Sequence, residues 1–85
     1  MKLRLTAHAA ERIGARGIST DQIKAALTDP DWTTPDPEDP VLVRYYKAMP
    51  VPDGRVLRVV ARRESGEHAI VTAFFDRGAR RGRSE

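Results

Sequence analysis

Eighty-five residues leave room for one domain and exclude a two-domain enzyme or a doubly wound nucleotide-binding sheet. With 40% hydrophobic and 32% charged residues, the chain is polar for a globular protein but too apolar for a disordered one. The lack of cysteine excludes thiolate metal sites, disulfides and a cysteine nucleophile. No apolar run is long enough to span a membrane, and the start Met1-Lys2-Leu3-Arg4-Leu5 lacks the apolar segment of a signal peptide, so a cytoplasmic protein is expected. A core this small gains stability from a partner, and a homodimer or a complex is expected.

The net charge of +3 is unevenly spread: residues 1–28, 29–40, 41–75 and 76–85 carry +3, −5, +3 and +2. Twelve of the fifteen cations are Arg, whose planar fork grips phosphate and stacks on bases.

Lys2 to Leu5 alternates polar and apolar, as a short strand or extended lead-in does. Thr6 reads as a helix N-cap, with a helix over Ala7–Arg16 stopped by Gly17. Ser19 and Gln22 stand at capping-box spacing, and Ile18 and Ile23 at the places of a hydrophobic staple, predicting a second helix over Thr20–Thr28 that Asp29-Pro30 ends. Residues 29–40 hold four Pro and five acids and no cation, which predicts an extended, mobile loop. Its Trp32 is expected to pin the loop to the core or to anchor a partner.

Val41–Ala48, Arg55–Arg63 and His68–Phe75 are rich in β-formers, with turn residues at 52–54 and 65–66, so they read as three antiparallel strands. The basic stretch 76–85 has no apolar period and reads as a frayed tail. The expected fold is α+β: one domain over residues 1–75, with two N-terminal helices on a three- to four-stranded antiparallel meander.

Two groups of residues could carry chemistry. His8, Arg12 and Arg16 recur every four residues and wind into one stripe along the first helix. One imidazole beside two guanidiniums is a poor metal site, because two fixed cations repel a third, but it could hold phosphate, and the set suits base-catalysed RNA cleavage. The same spacing describes a solvated helix face. It also fits a structural arrangement in which His8 is half-buried on a backbone carbonyl and the Arg residues pair acids of the 29–40 loop.

On the sheet, alternation places Leu57, Val59, Ala61, Val43, Tyr45, Val71 and Ala73 on one face, toward the helices. Arg44, Tyr46, Arg58, Arg62, His68, Ile70, Thr72 and Phe74 share the other, which could hold phosphates and stack a base on Tyr46 or Phe74. An Arg- and Tyr-bearing face is equally the ordinary solvent side of a sheet. His68, beside the 65–66 turn, reads as exposed.

The run Thr6, His8-Ala9, Arg12, Arg16-Gly17-Ile18-Ser19, then a helix closing on Asp29-Pro30, resembles the opening of the bacterial domain-of-unknown-function family 4258 (DUF4258). Asp53-Gly54, Leu57-Arg58-Val59-Val60 and Ile70-Val71-Thr72-Ala73-Phe74 resemble its strand motifs, so the likeness covers about residues 3–75. The family is similar to RNase toxins of the RelE/ParE and BrnT kind, with the barnase-EndoU-colicin-RelE fold.

The resemblance implies a metal-independent endoribonuclease toxin without cofactor, cutting RNA through 2′-OH attack and held by an acidic antitoxin or immunity protein. Matched by position, His8, Arg12, Arg58 and Thr72 would be catalytic and Arg16 would brace the helix or bind a flanking phosphate; Arg44, Tyr46, Arg62 and Phe74, read from the sheet face, would bind substrate. Phe74 stands where Tyr is common in the family, so no phenol acts there. The competing expectations are a noncatalytic module binding protein or nucleic acid, and a ParE-like toxin with a protein target.

Overall fold

The computed structural model describes residues 2–49 and 55–78; the expected turn at 52–54 and most of the basic tail lie outside them. Local signals set both helices. Helix α1 (Ala7–Ala15) starts where the Thr6 hydroxyl accepts the Ala9 N–H at 3.0 Å. It ends in a Schellman motif: Gly17 takes φ 71°, Ile18 N–H donates to the Ile13 carbonyl at 3.1 Å, and Gly17 N–H donates to Gly14 at 3.0 Å. The apolar pair that closes this motif, Ile13 and Ile18, is in the core. Helix α2 (Thr20–Thr28) carries the full capping box, Gln22 N–H to the Ser19 hydroxyl at 3.1 Å and Ser19 N–H to the Gln22 side chain at 2.9 Å.

Five strands form one mixed sheet, in the order β1 (Lys2–Leu5), β5 (Glu67–Phe75), β4 (Val56–Glu64), β3 (Val43–Ala48), β2 (Trp32–Pro35). Strands β2 to β5 are antiparallel neighbours, as the meander predicts, whereas β1 joins β5 in parallel from Lys2↔Glu67 to Leu5↔Ile70. The sheet thus exceeds the expected three to four strands: Lys2–Leu5 takes its strand option but pairs in parallel rather than antiparallel, and a further strand forms inside the acidic loop.

That strand corrects the picture of residues 29–40 as loop throughout. Trp32, Thr33 and Thr34 are strand formers, and Pro35 ends an edge strand, where a missing N–H costs little. The acids are occupied by local bonds. Asp31 accepts Ala48 N–H at 2.7 Å, Asp29 pairs Lys47 at 3.2 Å, and Asp36 accepts Glu38 and Asp39 N–H and pairs Arg44 at 3.3 Å. Hydrogen bonding from Glu38 N–H, against a burial penalty and aided by Asp39 N–H and Arg44, holds the Asp36 carboxyl below its ordinary value.

A two-residue turn with positive φ at both Ser65 and Gly66 joins β4 to β5, the geometry that matches strand twist. Further along, a bulge lies in the register: Val60 faces Thr72 but Ala61 faces Ile70. Val71 is the extra residue. Simple alternation therefore fails in β5: Ile70 is buried in the core beneath the helices, and Val71 is 46% exposed. His68, opposite Arg63, is likewise turned to the helix side, edge-on to Tyr45 at 5.8 Å, and is half-buried rather than exposed. The core lies between the helices (Ile13, Ile23, Ala26, Leu27) and the sheet (Leu57, Val59, Ala61, Ile70, Ala73).

Candidate functional site

Strand β1 stops at Leu5, opposite Ile70, so β5 beyond the bulge has no strand on that side. Instead the chain turns at Thr6, and α1 passes along this uncovered edge and packs on β5. Because α1 presents every fourth residue on one side, His8, Arg12 and Arg16 line the gap together. With Ala9, Val71 and Thr72 they enclose an open hollow of about 230 Å³.

Three details define its chemistry. The Arg12 Nε–H points at His8 Nε2 over 3.4 Å, a long contact in which the ring nitrogen is the acceptor. Arg16 donates through Nη1 to the Ala73 carbonyl at 2.9 Å and covers part of the bare strand edge, bracing α1 against β5. His8, Arg12 and Arg16 are all exposed, and among the described residues neither Arg12 nor Arg16 has an acidic partner. The sealed, carbonyl-bonded His8 that the spacing also allowed is not what forms. One imidazole, two guanidiniums and a hydroxyl are donors suited to an oxyanion and not to a cation; among the described residues no cluster of three or more His, Asp or Glu could hold a metal.

The remaining expected residues lie elsewhere. Arg58 does not line the hollow. It sits in a row that crosses the helix-free face of the sheet strand by strand, Trp32, Tyr46, Arg58, Phe74. Trp32 stacks flat on Tyr46, with centroids 4.8 Å apart and planes at 6°. Arg58 lies 4.4 Å from the Phe74 centroid and pairs Asp76 at 3.4 Å, and Arg16 reaches the same ring at 5.9 Å. Phe74 therefore separates Arg58 from the hollow, and its ring is occupied by guanidiniums rather than free for a base.

Arg44 belongs to the next row, Thr34, Arg44, Val60, Thr72, and is held by Asp36. Tyr46 is 6% exposed although no helix covers it. Its burial would raise the phenol's pKa, but hydrogen bonds from Arg58, Thr34 and Arg44 outweigh that and hold it below its ordinary value. Arg62 is on neither set, facing a separate hollow beside Arg4.

The structure thus brings together His8, Arg12, Arg16 and Thr72, and sets Arg44, Tyr46, Arg58 and Phe74 apart as an internally paired sheet face. Val71, on β5 beside the helix stripe, escapes a reading by alternation because period two turns it inward; only the bulge turns it out.

No curated protein and no solved structure matches the chain. One family model does, that of the domain of unknown function DUF4258, over residues 5–75, which include α1, α2, β2 to β5 and every residue of the hollow. The chain belongs to the DUF4258 family.

Proposed function

We propose that the protein is a small endoribonuclease-like toxin, related to the RelE/ParE and BrnT kind, that cuts RNA by internal attack of a 2′-OH. The observation that carries this reading is the convergence of His8, Arg12, Arg16 and Thr72 on one open, uncompensated cationic hollow.

In the reaction His8 Nε2 takes the 2′-OH proton, O2′ bonds to phosphorus, and the bond from phosphorus to the 5′-oxygen breaks. The departing oxygen takes a proton back, leaving a 2′,3′-cyclic phosphate and a 5′-OH. Arg12 leaves its long contact with His8 for the phosphate and balances the charge that grows on the phosphorane; the Thr72 hydroxyl donates to a non-bridging oxygen. Arg16 keeps the helix at its distance from β5 and adds charge at the rim. Arg58 acts at one remove, steadying Phe74 and through it Arg16. An acidic antitoxin would be drawn to the same cations.

The test is cleavage of a mixed-sequence RNA by purified wild type, His8→Ala and Arg12→Gln, with folding checked by circular dichroism. General-base catalysis contributes roughly 10²–10⁴ in rate, and His8→Ala should lose about that much. Unchanged cleavage in a folded His8→Ala variant, or equal cutting of a strand lacking the 2′-OH, overturns the reading.

The noncatalytic alternative draws on the sheet face, where Arg44 and Arg58 are each matched by a carboxylate, Asp36 and Asp76. That pairing suits a structural role for this face rather than a docking one, which favours the hollow as the working site.

A further inference from the structure

A second hollow adjoins the first. It has a volume of about 480 Å³ and lies between Arg4 and Thr6, where β1 passes into α1, and Arg62 and Val71 on the sheet. Val71 lines both hollows, so the two meet at its side chain. That side chain stands out because of the β5 bulge, the kind of irregularity that re-aims a residue beside a working site.

The charges differ from those of the paired sheet face. Arg4 and Arg62 share a single carboxylate, Glu64, with Arg62 at 3.3 Å, which leaves one uncompensated positive charge. Their side chains are 61% and 48% exposed, and surface pairs of this kind contribute little, so an incoming anion can take the carboxylate's place.

We infer that this hollow is a second nucleotide subsite: a single RNA strand crosses Val71, with the reacting phosphate at His8 and Arg12 and the neighbouring phosphate at Arg4 and Arg62. The nucleoside between them lies against the Val71 side chain, the apolar surface exposed at that point. The assignment of the reacting phosphate rests on the ribonuclease reading; the two-subsite path itself does not require cleavage.

It is tested with uncleavable 2′-O-methyl oligonucleotides two and six nucleotides long, by fluorescence anisotropy across a salt series. Wild type should bind the hexamer about tenfold tighter than the dimer. In R4Q/R62Q that ratio should fall to near one, and the slope of log affinity against log salt should become shallower by about 0.7 for each phosphate that no longer meets a guanidinium. R4K/R62K, which keeps the charge, should recover most of the ratio.

An unchanged ratio in R4Q/R62Q overturns the inference even if His8→Ala abolishes cleavage. Loss of the ratio supports it even if His8→Ala still cleaves, in which case the ribonuclease reading alone fails. Tight binding of a Glu-rich extended peptide, lost in R4Q/R62Q, with no binding of the hexamer by wild type, overturns it in favour of a protein partner.

Discussion

Tyr46 shows how a single side chain can be buried on a face without a covering layer. Trp32 lies flat on its ring, and the Arg58, Thr34 and Arg44 side chains act on its phenol strongly enough to outweigh the burial that would raise its pKa, so apolar and polar ends both have partners. Tyr46→Phe keeps the stack and deletes the acceptor. Unfolding in urea should show a loss on the order of 1–2 kcal/mol, the cost of leaving partly buried donors without a partner. Because the folded phenol lies below its ordinary value, this group adds stability as pH rises toward 10, and the contribution is complete above that. Ultraviolet titration should therefore find a phenol ionising below 10 in the wild type and miss it in Tyr46→Phe; a wild-type curve with no phenol ionising below 10 would show the guanidiniums do not act on it.

Among the elements, α2 depends most visibly on local chemistry. It is nine residues long, too short to persist alone in water, and both ends of its capping box are made. Ser19→Ala removes the acceptor for Gln22 N–H and should lower stability by about 1 kcal/mol, with Ser19→Asp retaining most of it. A midpoint in urea unmoved by Ser19→Ala would mean that packing of Ile23, Ala26 and Leu27 alone holds the helix. Strand β5 depends instead on distant partners. Its bulge keeps Ile70 under the helices while Thr72 stays with Val60 on the opposite face, and that half-step turns Val71 into the ridge between the two hollows.

For the molecule as a whole, acid sensitivity should trace to His68. Burial, and then the nearby Arg63 charge, hold its imidazole below the ordinary value of 6.5, against the edge of Tyr45. The unfolded chain then binds this proton first, so the His68 contribution is complete above about 6.5 and is lost as pH falls toward the folded value. Urea midpoints measured at pH 7.5 and 5.5 should fall in the wild type and fall less in His68→Phe. Equal falls in both would assign acid sensitivity to other groups. No helix among the described residues is long and apolar enough to cross a membrane.

Features that neighbours within a few residues decide are legible in the chain alone. Thr6, Gly17, Ser19 with Gln22, and Asp29-Pro30 bound the helices because capping acts between a residue and the next turn, and the same rise per residue makes His8, Arg12 and Arg16 one stripe. Features that depend on pairing between distant segments emerge only on folding. Folding paired β1 with β5, drew Trp32–Pro35 into the sheet, shifted β5 by one residue and left Arg58 across Phe74 from the stripe it was expected to join. Strand partner and register are chosen by which faces can be buried together, and that choice has no short-range signature in the chain.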